Sequence, residues 1–216
     1  MSGPSQPGDS GNAEVSDRSA RERLLCEAAD LFSRKGYAAT SVGEIVAAAG
    51  VTKPVLYYHF ESKEGLYLRL MEEGLGAFRA TVEAALLSDG TTVADRIGGL
   101  CEALVKCALG NLSIVRLTRG LHYAPPQGAP EFNSWEFPLT IRRALERLVE
   151  EGVRSKEFFP IRSEDLVWAI LGLISVCIDS NLVDPGIALT PSGVRSALNL
   201  VLAGVTPAGP TRQGET

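Results

Sequence analysis

The chain has 216 residues, of which 45% are hydrophobic, 22% charged and 6% aromatic, and its formal net charge is −5. This composition is ordinary for a globular protein and excludes a disordered or collagen-like chain. The longest strongly apolar run, 166–178, is shorter than the roughly 20 residues needed to span a bilayer. Because the N-terminal residues also lack the apolar stretch of a secretory signal, we expect a cytoplasmic protein with no membrane segment.

Helical periodicity fills the chain between two polar ends. Residues 1–17 and 206–216 are predicted to be flexible tails, since they have too few apolar residues to order themselves. The remainder predicts an all-α protein of about nine helices, with a three-helix N-terminal domain over 18–70 and a larger helical bundle over 71–205. The predicted helices cover residues 18–35, 41–49, 53–60, 62–87, 92–109, 111–121, 131–153, 163–182 and 191–202.

Charge and cysteine content narrow the possible functions. Residues 18–71 hold eight Lys or Arg against six Asp or Glu, so this segment carries +2 within an acidic protein. A mild basic asymmetry of this kind is typical of a DNA-binding module attached to another domain. The four cysteines show neither metal-ligand spacing nor a disulfide pattern, and we therefore predict no metal site and no cofactor.

Residues 41–60 read SVGEIVAAAGVTKPVLYYHF and predict two short helices joined by a tight turn. Ser41 and Glu44 have the spacing of a capping box, and Gly50 permits the sharp bend between the helices. Such a pair is a helix-turn-helix, whose second helix enters the DNA major groove. The side chains not needed for the core suit phosphates and base edges: Thr52, Lys53, Pro54, Tyr57, Tyr58 and His59.

Residues 18–70 also resemble the N-terminal domain of the tetracycline-repressor (TetR/AcrR) family. The resemblance rests on the following elements, which end in a highly specific LYYHF-x-SK run: Arg23-Leu24-Leu25, Ala28-Ala29, Leu31-Phe32, Gly36-Tyr37, Thr40-Ser41-Val42, Ile45, Ala48, Gly50-Val51, Leu56-Tyr57-Tyr58-His59-Phe60, Ser62-Lys63 and Leu66. Pro54 departs from the small polar residue frequent in the family, which weakens the expectation of direct base reading there. Gly65 also departs, because a helix former is usual at that position.

The resemblance implies a homodimer bound to a double-stranded DNA operator. It places Thr52, Lys53, Tyr57 and His59 in the groove or on phosphates, with Thr40, Ser41 and Lys63 on flanking phosphates. Other readings of single residues stay open. Tyr57 or Tyr58 could pack on the first helix, and His59 could cap or fill the core.

The segment 166–178 is apolar nearly all round, which predicts burial on several sides. A subunit interface shared with the last helix would provide this, and an intrachain core helix is the alternative. The predicted interface residues are Val167, Ile170, Leu171, Ile174, Ile178, Val194, Leu198 and Val201.

The family's larger domain also binds a small effector. Candidate ligand contacts surround the Pro-rich segment 122–130, although packing in the core or the loop would explain each of them too: Cys107, His122, Tyr123, Phe132, Trp135 and Phe137. The few charges in the predicted helices of 92–121 favour a mostly apolar or aromatic ligand.

These observations predict a repressor released from a palindromic operator by a small molecule. An activator, or a regulator that answers to a protein partner, fits the sequence equally. A helical-bundle enzyme is a remote alternative, because the chain contains no HExxH, no GxSxG and no phosphate-binding glycine loop. We therefore predict that the protein is not an enzyme.

Overall fold

A computed structural model describes residues 10–88, 91–123, 128–184, 186 and 188–207, with side chains from residue 19 onward. Within these residues the chain forms nine α-helices and no strand, which confirms the predicted all-α fold. The helices are α1 Ser10–Lys35, α2 Val42–Ala49, α3 Lys53–Phe60, α4 Lys63–Leu86, α5 Val93–Gly110, α6 Leu112–Tyr123, α7 Glu136–Arg154, α8 Ser163–Val183 and α9 Pro191–Ala203.

Two helix starts differ from the prediction. The first helix begins at Ser10 rather than at residue 18, so residues 10–17 are helical. Extension is favourable because each residue added to an existing helix gains a backbone hydrogen bond. The seventh helix begins at Glu136 rather than at residue 131, which places Pro138 in its first turn. There a missing N–H costs nothing, whereas in a helix begun at 131 it would break an internal hydrogen bond.

The chain divides into two compact units. The first contains the residues up to Gly74 together with 113–132, and the second contains 75–112 and the residues from 133 onward. Helix α6 therefore belongs to the first unit, although the sequence placed it in the second predicted domain. The functional roles predicted for 18–70 and 71–205 remain predictions.

The core of the first unit is built by α1 to α4 and α6. Its fully buried side chains include Leu24, Ile45, Leu56 and Leu66. Phe32, Tyr37 and Tyr67 form an aromatic cluster with ring centroids 5.2 to 5.5 Å apart. Leu117 of α6 is buried against the same core. Burial of Ile45 and Leu56 in this core holds the short helices α2 and α3, which are too short to be stable alone.

The second unit is a bundle of α5, α7, α8 and α9 with the C-terminal part of α4. Its core includes Ile97, Leu145, Ile170 and Leu198, all of them fully buried. Among the described residues, α8 is the one helix whose length and apolar composition would allow it to cross a membrane. Leu166, Val167, Ile170, Ile174 and Cys177 of α8 are nonetheless buried in the core of this bundle.

Candidate nucleic-acid interface

The start of α2 is held by the predicted capping box. The Ser41 hydroxyl accepts from the Glu44 amide at 3.2 Å, and the Glu44 carboxylate accepts from the Ser41 amide at 2.9 Å. Lys35 also donates to Glu44. The hydrogen bond from Lys35 and those from Ser41 lower the pKa of Glu44 to about 2. Two backbone donors that a helix start leaves unpaired are thereby satisfied, which fixes where α2 begins.

The turn between α2 and α3 depends on a glycine and an arginine. Gly50 has φ 64°, a left-handed conformation that L side chains rarely adopt. Arg23 of α1 donates through Nε to the carbonyl of Ala49 at 2.9 Å, and through a terminal guanidinium nitrogen to the Ser19 hydroxyl at 2.8 Å. The sequence motif contains Arg23, but its function as a partner for the end of α2 emerges only from the structure.

Helix α3 is anchored by one face and exposed on the other. Leu56 is fully buried and Phe60 is 5% exposed, so both lie in the core of the first unit. The opposite face carries Tyr57, which is 47% exposed, and Tyr58, which is 74% exposed. Thr52, Lys53 and Pro54 are exposed at the helix start. The alternative in which Tyr57 and Tyr58 pack against α1 is not supported by these exposures.

Two groups at the start of α3 have no partner within the part of the chain that is described. The Thr52 hydroxyl makes no capping hydrogen bond, although Thr52 is the N-cap residue. Lys53 forms neither an ion pair nor a side-chain hydrogen bond among the described residues. His59, which lies one residue from the end of the helix, is half-buried. Thr52 and Lys53 therefore offer donors to a ligand, as a helix that reads DNA requires.

The three residues expected on flanking phosphates are occupied within the protein. Thr40 is 2% exposed, and its hydroxyl donates to the Gly36 carbonyl at 2.9 Å. The Ser41 hydroxyl belongs to the capping box. Lys63 donates to the carbonyls of Tyr37 and Thr40 at 2.9 and 2.8 Å. For Thr40 this corrects the prediction, because a buried side chain cannot reach DNA. For Ser41 and Lys63 the phosphate contact stays a prediction that the geometry does not favour.

The turn from α3 into α4 explains why residue 65 is a glycine. Glu61 has φ 61°, and the Ser62 amide donates to the Phe60 carbonyl at 2.6 Å. A Cβ at Gly65 would overlap that same carbonyl oxygen, well inside the 3.0 Å that real Cβ atoms keep. The glycine at position 65, where the family usually has a helix former, is therefore explained by the close approach of the Phe60 backbone.

The predicted ligand contacts fall in both units. His122 and Phe132 are half-buried in the first unit, where Phe132 packs against its core, and the side chain of Tyr123 lies outside the described residues. Cys107 is half-buried in the second unit, and Trp135 is 61% exposed. Phe137 packs on Phe78 with ring centroids 5.3 Å apart. Their predicted role as a ligand pocket stays a prediction.

Most of the predicted interface residues lie inside their own chain. Val167, Ile170, Ile174, Val194 and Leu198 are at most 2% exposed, so a second copy could not contact them, and this part of the prediction is wrong. Leu171, Ile178 and Val201 are half-buried against the same core. Apolar residues occur on every side of α8. One face of the helix packs in the core of the bundle, and another apolar face remains at the surface.

The exposed face of α8 was missed by the sequence reasoning. It consists of Trp168, Ala169, Gly172 and Val176, which recur at helical spacing. Trp168 is 58% exposed and Val176 is 64% exposed, and the guanidinium of Arg142 lies 5.9 Å from the Trp168 ring centroid. The small residues Ala169 and Gly172 of this stripe were the available signal, because side chains of this size let a second helix approach closely.

The fold and the exposed face of α3 define a helix-turn-helix DNA-binding protein. Residues 24–70 match the family described as bacterial regulatory proteins of the tetR family. This N-terminal region is thus similar to the DNA-binding part of TetR-family transcription regulators.

Two curated relatives match part of the chain. Over 97 residues the chain is 34% identical to the HTH-type transcriptional repressor ComR of Escherichia coli K12, covering 45% of each protein. Over 51 residues it is 43% identical to the HTH-type transcriptional regulator QacR of Staphylococcus aureus, covering 24% of this chain and 27% of QacR. The chain thus matches less than half the length of these relatives. Both are transcription regulators and not enzymes by name.

A solved structure extends the likeness to nearly the whole chain. The TetR-family regulator PfmR from Thermus thermophilus superposes with a TM-score of 0.65 and 26% identity. The match covers 84% of this chain and 97% of PfmR. The fold of a TetR-family regulator therefore extends over most of the chain, further than the 45% and 24% that the two curated relatives cover.

Proposed function

We propose that the protein is a homodimeric repressor that binds a pseudo-palindromic operator and is released by a small molecule. The observation that carries the proposal is the exposed face of α3, where Lys53 and Thr52 present unpaired donors beside two exposed tyrosines. A helix held by Leu56 and Phe60 in the core can insert that face into a major groove without refolding. An operator-bound protein of this kind acts in the cytoplasm and needs neither metal nor cofactor.

Each exposed residue of α3 has a distinct part in this proposal. Thr52 and Lys53 lie at the N-terminal end, which meets the base edges when a recognition helix enters the groove. The hydroxyls of Tyr57 and Tyr58 donate to phosphate oxygens on either side. Thr40 and Lys63 act indirectly, by holding the segment that precedes α2.

A second copy of the chain is proposed to cover the exposed face of α8. The stripe of Trp168, Ala169, Gly172 and Val176 is apolar, and α9 presents Leu200 at 79% exposure. Exposed apolar side chains grouped on one helix face in this way mark an interaction site. Pairing of identical faces gives a two-fold dimer, as most homo-oligomers have. Two recognition helices can then lie one DNA turn apart, about 34–36 Å.

The effector is proposed to bind the helices that follow the DNA-binding region, within the predicted domain of 71–205. The candidate contacts are mostly aromatic side chains, which favours an apolar or aromatic molecule. A ligand that binds more tightly to a conformation unsuited to the operator shifts the population away from DNA. The candidate contacts remain Cys107, His122, Tyr123, Phe132, Trp135 and Phe137.

The test is selection of genomic DNA fragments by purified protein. The Lys53→Ala/Tyr57→Ala double variant is run beside it, and Lys106→Ala is the matched control because it removes an exposed lysine from the second unit. We expect a short inverted repeat to be enriched by the unchanged protein and by the control, and not by the double variant. If no sequence is enriched even at low salt, where attraction to phosphates is strongest, the proposed function is wrong. Once a repeat is in hand, small molecules related to the neighbouring genes' products are screened for release of the protein from it.

A further inference from the structure

The exposed face of α3 has few groups that can form hydrogen bonds with bases. The helix reads KPVLYYHF and contains no Arg, Asn, Gln, Asp or Glu. In the first turn of α3, Lys53 is the one residue whose side chain can donate a hydrogen bond to a base. The Thr52 hydroxyl lies directly before this turn. Pro54 has neither a backbone N–H nor a polar side chain, and it is exposed. Tyr57 lies three residues further on and is 47% exposed, so the two rings share one face of the helix.

Base pairs differ in what they present in the major groove. Guanine and adenine offer acceptors that Arg, Lys, Asn and Gln recognise, and cytosine offers a donor that Glu and Asp recognise. Thymine alone among the unmodified bases carries a methyl group, which is recognised by apolar contact. Pro54 can therefore distinguish the base that faces it only by apolar contact. Thymine is the base whose methyl group makes such a contact.

Local structure holds Pro54 rigidly in place. The amides of Val55 and Leu56 both donate to the Thr52 carbonyl, at 3.1 and 3.3 Å, which closes the first turn around Pro54. Leu56 is fully buried, so the turn is anchored to the core of the first unit. A proline ring in a fixed turn loses no side-chain freedom on binding, and its contact surface is formed before DNA arrives.

We propose that α3 identifies each operator half-site mainly by thymine methyl groups that pack on Pro54 and the Tyr57 ring, with Lys53 donating to a neighbouring guanine. This inference rests on the proposed function, because it specifies the DNA sequence class that the same face recognises. It also assigns specificity to Pro54, the position where hydrogen-bonded reading of a base was not expected.

The experiment begins with selection from a random duplex pool and continues with the enriched repeat. The repeat is synthesised with deoxyuridine replacing thymidine at half-site positions, a change that removes only the methyl group. Loss of the apolar contact with one methyl is expected to weaken binding about fourfold for each half-site. The same replacement in the spacer between half-sites is the DNA control and should leave the affinity unchanged.

The matched protein variant is Pro54→Ser, which substitutes a small polar residue that a first helical turn tolerates. We expect it to fold, as checked by its melting temperature, and to prefer the thymidine repeat over the deoxyuridine repeat less than the unchanged protein does, because only the contact with the Tyr57 ring remains. Equal binding of the two repeats by the unchanged protein would overturn the inference and leave the proposed function intact. A thymidine preference of undiminished size in Pro54→Ser would overturn the role of Pro54. Absence of any enriched repeat would reject the proposed function and this inference together.

Discussion

The Lys63 ammonium donates to the Thr40 carbonyl at 2.8 Å and so connects the start of α4 to the segment before α2. It donates to the Tyr37 carbonyl as well and lies 4.1 Å from the centroid of the Tyr37 ring. A cation that contacts two carbonyls and an aromatic face is directed into the protein. We infer that Lys63 supports the DNA-binding surface by fixing the position of α2.

Lys63→Met should therefore lower the stability of the protein, by about 2 kcal/mol, because hydrogen bonds to charged groups are lost. DNA affinity should fall through misplacement of α2, while the slope of affinity against salt concentration should stay nearly unchanged. Denaturant unfolding and DNA titrations at several salt concentrations measure the two effects. Lys53→Ala is the contrasting variant: its stability should be unchanged, and its binding should become less specific for the guanine that Lys53 is proposed to contact. A reduced slope without a loss of stability for Lys63→Met would identify Lys63 as a phosphate contact.

The capping box makes the start of α2 sensitive to acid. The pKa of Glu44 is lowered to about 2 by hydrogen bonds from Lys35 and Ser41, whereas the ordinary value is 4.5. A lowered pKa in the folded state stabilises the fold above the ordinary value, and this contribution is lost as pH falls from about 4.5 towards 2. Urea unfolding at pH 6 and pH 3 should show a smaller acid-induced loss for Glu44→Gln than for the unchanged protein. Equal losses in both proteins would contradict this assignment.

Two glycines in α4 should respond oppositely to alanine. Gly65→Ala should destabilise the protein by about 1–3 kcal/mol, because the new Cβ overlaps the Phe60 carbonyl oxygen. Gly76 lies exposed in the same helix with nothing within 4 Å of a Cβ, so Gly76→Ala should stabilise the protein by up to about 1 kcal/mol. Thermal unfolding of the two variants gives both signs in one assay. Stabilisation by both substitutions would refute the close approach at Gly65.

The start of α5 is capped by a carboxylate from a distant part of the chain. Glu157 accepts from the amides of Val93 and Ala94, each at 2.8 Å. Glu157→Ala should cost about 1–2 kcal/mol, as loss of a helix cap does. Glu150→Ala is the control, since Glu150 is exposed and forms no ion pair among the described residues. Unfolding by urea should separate the two variants, and equal midpoints would argue against the cap.

The exposed face of α8 should control the oligomeric state. Val176→Asp places a charge in the proposed interface and should convert the dimer to a monomer, as measured by light scattering after size-exclusion chromatography. Leu87→Asp is the control, because Leu87 is 82% exposed at a site remote in sequence from α8. A dimer that survives Val176→Asp, or a protein that is monomeric without substitution, would reject the proposed interface. Binding of the unchanged monomer to lipid vesicles would instead identify a membrane as what covers this face.

Local patterns in the sequence were sufficient to predict the all-α fold and the helix-turn-helix. The capping box at Ser41 and Glu44, the turn at Gly50 and the apolar spacing of Leu56 and Phe60 act over a few residues. Their physical effects depend on neighbours along the chain, so the sequence alone determined that α2 and α3 form and which face of α3 is exposed.

Only the tertiary structure decided the roles of residues whose partners are far away in the chain. Lys63 contacts carbonyls more than 20 residues earlier, and Glu157 caps a helix more than 60 residues earlier. The side of α8 that faces its own bundle could not be predicted from the sequence, because apolar residues occur nearly all round the helix. Val167 and Ile170 are buried, whereas Trp168 and Val176 are exposed, since the packing of α5, α7 and α9 covers only one side of the helix.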